Sequence, residues 1–109
     1  MNKEFIPYEQ ALELKELGFK KDNDFGLLYK GEDIPSILYQ QAFRWFREKH
    51  TLASQIHPIE SSGQFIWQYL IRNLSEYLTE FDLENFIFDT YEEAELACLK
   101  KLIQIAKQK

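Results

Sequence analysis

Only one cysteine occurs in the chain, Cys98, and a lone thiol cannot close an intrachain disulfide. The four glycines, at positions 18, 26, 31 and 63, are too few and too scattered for a loop that cradles phosphates. The dinucleotide fingerprint GxGxxG, the P-loop and the GxSxG nucleophile elbow are all missing, as are the HExxH, CxxC and EF-hand ligand spacings. No apolar run approaches the ~18 residues of a membrane-spanning helix. The opening MNKEFIPYEQ has no apolar signal-peptide core, so neither membrane insertion nor secretion is expected and the cytoplasm is the expected compartment.

Basic charge is also scarce. The formal net charge is -5 and the pI is near 5.0, which weighs against general nucleic-acid binding, a task that needs a basic footprint to neutralise phosphates. The deficit is uneven. Residues 38–72 are mildly basic, residues 73–99 hold 8 carboxylates and no basic side chain, and residues 100–109 hold 4 lysines and no acid.

What the chain does have is aromatic and aliphatic side chains in periodic arrays. At 109 residues it is the size of one domain, spanning residues 1–109, and folding at that length buries roughly two-thirds of the unfolded surface, enough for a core without staples. Pro7 suits the first position of a first helix ending near Leu17. Gly18 then fits a left-handed stop that brings Phe19 back onto Leu14. FGLLYK, residues 25–30, is a weak strand candidate. A second helix is expected to open at Pro35 or Ser36, with Leu38, Tyr39, Ala42, Trp45 and Phe46 on one apolar face and Gln40, Arg44 and Arg47 on the other.

Residues 52–59 and 64–72, separated by ESSG, read as a hairpin in which Pro58 marks the first strand as an edge. Both faces of the second strand are more apolar than a sheet with one solvated face requires. The stretch 73–84 is ambiguous, with a strand expected over 85–88. Thr90 and Glu93 make a capping box for a last helix from Tyr91 to Lys107, with glutamates at its positive end and lysine at its negative end. The expected fold is therefore α+β, two or three helices packed on a small, mostly antiparallel sheet, with Trp45, Phe46, Trp67, Tyr91 and Leu102 in or near the core.

Several constellations invite chemistry. Cys98 with His50 or His57 could form a nucleophile and base, but Cys98 shares a helical stripe with Tyr91, Ala94, Leu102 and Ile105, where a free cysteine acts as a small buried hydrophobe. His50, His57 and Glu60 could ligate a metal, although their spacing matches no ligand pattern. No cofactor is expected. Arg44, Arg47 and Arg72 beside sheet aromatics could clamp single-stranded nucleic acid, against the bland alternative of a solvated helix face. Leu96, Leu99 and Ile103 form a second apolar line on the last helix, either central burial or an oligomer contact. Glu76, Glu80, Asp82 and Glu84, interleaved with aromatics, are candidates for docking a basic protein partner, against a loop kept solvated by its charge.

The combination of LYQQAFRWFREKH, the aromatic hairpin after it and DTYEEAELACLKKLIQIAK resembles small uncharacterised proteins of Bacteroidetes genomes, their phages and mobile elements, over residues 36–107. The resemblance implies a cytoplasmic chain, leaves a phage derivation open, and assigns no site. Protein binding or assembly is the function expected from the residues. Nucleic-acid binding and a small enzyme are the alternatives.

Overall fold

The computed structural model describes residues 5–19, 37–74, 79–81 and 87–108. Among them are three helices, α1 (Tyr8–Glu16), α2 (Tyr39–Lys49) and α3 (Tyr91–Lys107), and three strands, β1 (Leu52–Ser61), β2 (Gln64–Asn73) and β3 (Thr79–Phe81). The strands form one antiparallel sheet in the order β1-β2-β3, giving the expected α+β arrangement. The strand candidate at 25–30 lies outside the described residues, as do Pro35 and Ser36.

Local chemistry sets the ends of α1. Pro7 is not the first helical residue but the cap before it, with φ -64° and an extended ψ of 156°, and its carbonyl accepts from Ala11 N–H at 3.0 Å. At the other end Gly18 takes φ +106°, Phe19 N–H donates to Leu14 O at 2.9 Å, and Gly18 N–H donates to Lys15 O at 3.0 Å. These are the two hydrogen bonds of a Schellman stop, and they turn Phe19 back into the core beside Leu14.

The start of α2 differs from expectation. Ile6 N–H donates to Ile37 O at 2.8 Å and Phe5 bridges to Leu38, so residues 37–38 are held extended and the helix opens only at Tyr39. Leu38 lacks a side-chain acceptor for the first turn. The Gln41 side chain reaches back instead, its Oε1 accepting from Leu38 N–H at 2.9 Å. Tyr39, Ala42 and Phe46 are buried while Arg44 and Arg47 are exposed, and Arg44 pairs with Glu48 at 3.2 Å.

From α2 the chain enters β1 through Thr51, whose φ of +54° is costly for a β-branched residue. The β1–β2 hairpin closes on Ser62 and Gly63, with φ +51° and +80°. Two central residues at positive φ are the signature of a two-residue turn whose twist matches the strands.

Trp67 exchanges both backbone hydrogen bonds with Phe88, at 2.8 and 2.9 Å, on the side of β2 away from β1. Pro58 lies directly opposite Trp67, so at this pair the β1 backbone groups point to the side of β1 on which no described strand pairs. Proline therefore occupies an edge position where no ladder bond is lost. Of the strand expected over 85–88, residues 85 and 86 lie outside the described residues and Phe88 bridges to Trp67; the ambiguous stretch before it contributes β3.

Helix α3 has the expected limits, and Thr90 Oγ1 accepts from Glu93 N–H at 3.1 Å. Its far end is tied to α1, with Lys107 Nζ donating to Glu13 Oε2 at 2.6 Å. Hairpin register assigns Leu52, Ser54, Ile56, Pro58, Glu60, Phe65, Trp67, Tyr69, Ile71 and Asn73 to one face. All the hairpin's buried residues, Leu52, Tyr69, Ile71 and Asn73, belong to it, so this is the face the core covers.

The core joins these residues to Phe46, Ile6, Leu14, Ile37, Cys98, Leu99 and Leu102. Leu99 and Ile103 are enclosed by the chain itself, and Leu96 packs half-buried against the same cluster. The second apolar line of α3 thus points inward, leaving Leu99 and Ile103 no surface with which to meet another copy. Phe46 and Leu102 are fully buried, and Trp45 and Trp67 are half-buried. Tyr91, expected in or near the core, lies at its rim, partly exposed and packed on Trp67.

Candidate protein-binding site

A strand of ten residues spans roughly 33 Å, and the core covers only part of that length. The buried positions lie toward the Leu52–Asn73 end, while at the turn end Pro58, Glu60 and Phe65 are exposed on the same face. Among the described residues Phe65 is the most exposed large apolar side chain, at 63%. Two residues inward, Trp67 is fixed through its backbone by Phe88, and Phe88 stacks on Tyr69 with ring centroids 6.1 Å apart.

Tyr91 is the first residue of α3, placed by the Thr90 cap. Its ring meets that of Trp67 edge to face, with centroids 5.3 Å apart and planes at 86°. Ile87, beside Phe88, is 52% exposed and Tyr91 39%. Of the four exposed large apolar residues among those described, Phe65 and Tyr91 therefore flank Trp67, while Ile87, next to Phe88, alternates to the other face of the sheet. Leu74, at the far end of β2, is the fourth. Scattered exposed apolar residues are ordinary; neighbouring ones on one face make a candidate contact surface.

The electrostatics of this corner are one-sided. Glu60 pairs across the strands with Phe65, Asp89 follows Phe88, and Glu92 and Glu95 flank Tyr91 along the helix. Burial pushes the Glu95 carboxyl up to about 7, the neighbouring Glu92 charge adds to the effect, and a hydrogen bond with the Tyr91 side chain partly offsets it. The Tyr91 phenol is raised as well, by burial first and then by Glu95. No described lysine or arginine offsets the Glu95 charge.

The other candidate residues do not gather into one site. Cys98 is fully buried in α3. His50 packs its ring on Trp45 and Phe46, at 4.8 and 5.7 Å. His57 belongs to the hairpin face opposite the core, where its Nε2 donates to Gln68 Oε1 at 3.1 Å and its enclosed Nδ1 has no hydrogen-bond partner among the described residues. No group of three metal-ligating side chains occurs among the described residues.

Arg72 also lies on the face opposite the core, whereas Arg44 and Arg47 line the exposed side of α2, so the three arginines do not share a groove. Glu80 stands opposite Arg72 in the β2–β3 register, while Glu76, Asp82 and Glu84 lie outside the described residues. Phe65 and Ile87 were not legible as surface residues. The one sequence signal was the excess of apolar residues in β2, which showed that something beyond a one-sided core used them.

No protein family, curated protein or solved structure matches the chain. Among the described residues no helix is long and apolar enough to cross a membrane.

Proposed function

We propose that this protein is a protein-binding domain that docks a basic segment of its partner on the corner centred on Trp67. The observation that carries this reading is the placing of exposed Phe65 and Tyr91 on either side of Trp67, with carboxylates at Glu60, Asp89, Glu92 and Glu95 and no basic residue from 73 to 99. Aromatic side chains supply most of the contact energy in such surfaces, and a charged rim steers encounter and selects the partner's sign. Glu76, Glu80, Asp82 and Glu84 add negative charge to the same stretch of sequence. The cytoplasm is the compartment we propose, since stability here rests on a packed core and not on bridged cysteines.

A peptide-display selection tests the reading. Peptides enriched on the wild-type chain should combine lysine or arginine with an aromatic or aliphatic residue. They should lose at least about tenfold in affinity toward Phe65→Ala, as expected when a hot-spot side chain is truncated, and should weaken as salt is raised. Enriched peptides that bind Phe65→Ala and Trp67→Ala as well as wild type, or that show no basic preference, would overturn it.

A further inference from the structure

We infer that Trp67, Tyr91 and Glu95 together seat the cationic end of a lysine or arginine side chain, which anchors the basic segment proposed above. The inference rests on that reading and sharpens it to a single ligand group. Two aromatic planes at 86° present π surface in two directions within one corner, and the negative face of such a ring attracts a cation. A carboxylate stands one helical turn along from Tyr91, tied to it by a hydrogen bond and half-buried. Ring faces with an adjacent carboxylate match the chemistry of an ammonium or guanidinium, which needs a counter-charge and tolerates apolar walls.

The second observation is what Glu95 lacks. It is partly withdrawn from water, carries the repulsion of Glu92, and has no described cation to compensate. A carboxylate in that state gains when a positive charge arrives, because the desolvation cost is already met by the fold and the incoming charge supplies the missing partner. The ionisable and charged neighbours that act on it are Tyr91 and Glu92, both on its own helix. Trp67 and Phe88 contribute none. Among the described residues, the charge that acts on Glu95 is negative. The flanking Phe65 gives the rest of a peptide somewhere to lie, which favours a protein side chain over a free amine.

Cation binding requires the ionised carboxylate, so affinity should rise with pH. One group titrating near 7 gives roughly a tenfold gain between pH 6 and pH 8. The test titrates the isotope-labelled full chain with three otherwise identical short peptides that carry phenylalanine beside lysine, Nε-acetyl-lysine or norleucine, reading the Trp67 indole N–H resonance.

The expected result is a shift with the lysine peptide that is at least about tenfold tighter than with the two neutral peptides and strengthens from pH 6 to pH 8. In Glu95→Gln, whose folding is checked by thermal denaturation, both the lysine preference and the pH dependence should vanish. If all three peptides shift the resonance equally, or Glu95→Gln leaves the lysine preference intact, the cation seat is overturned while the docking surface stands. If none of them shifts it, both readings fall.

Discussion

Trp67 and Tyr91, from the middle of β2 and the first turn of α3, meet edge to face with ring centroids 5.3 Å apart. The contact joins sheet to helix at the rim of the core. It also leaves Tyr91 partly open to solvent, so one pair of side chains serves both the fold and the surface.

Because edge-to-face pairs add about 0.5–1.5 kcal/mol beyond their buried area, Trp67→Ala and Tyr91→Ala should not be additive. A double-mutant cycle by urea denaturation is expected to give a coupling of about 1 kcal/mol. Simple additivity would mean that the rings merely lie near each other.

Replacing Thr90 by alanine should lower stability by about 1 kcal/mol, since Glu93 N–H loses its side-chain acceptor. Thr90→Ser retains the hydroxyl and should recover most of the loss. Equal denaturation midpoints for the alanine variant and wild type would show that the cap contributes nothing.

The Ser62-Gly63 turn asks serine to hold φ +51°. Asparagine accepts that region more readily, so Ser62→Asn should stabilise the protein by about 0.5 kcal/mol. A lower melting temperature would indicate that Ser62 makes a compensating interaction.

Glu95 predicts a pH effect of definite sign. Its carboxyl is raised in the folded protein from 4.5 to about 7, so the fold prefers the protonated form. That preference contributes fully below about 4.5 and is lost as pH rises through about 7. Solvent screening of a half-exposed group reduces the effect to about 1 kcal/mol. Glu95→Gln should therefore gain stability relative to wild type across this window and remain about 1 kcal/mol more stable at pH 8. A constant difference from pH 4 to pH 8 would remove this assignment.

Cys98 is fully buried, so native protein should react with an aromatic disulfide reagent at least about a hundredfold more slowly than unfolded chain, reflecting the cost of opening the core. Rapid labelling of the folded protein would return Cys98 to consideration as a nucleophile.

The features that were legible in the sequence depend on neighbours along the chain. Gly18 followed by Phe19 specified a stop because its hydrogen bonds span only four and six residues. Thr90 and Glu93 specified the start of α3 for the same reason, and ESSG between two apolar runs specified the hairpin. Periodicity likewise separated the buried Ala42 and Phe46 from the exposed Arg44 and Arg47.

Contacts between distant segments decided the rest. The pairing of residues 5–6 with 37–38 delayed α2, the Trp67–Phe88 bridge tied the entry of α3 to the sheet, and neighbours from other elements enclosed Leu99 and Ile103. Tyr91 shares a helical stripe with Cys98 and Leu102, yet they are buried and it is exposed. A helical projection fixes the direction in which a side chain points, but whether that direction ends in the core or at its rim depends on how far the opposing sheet and helices extend.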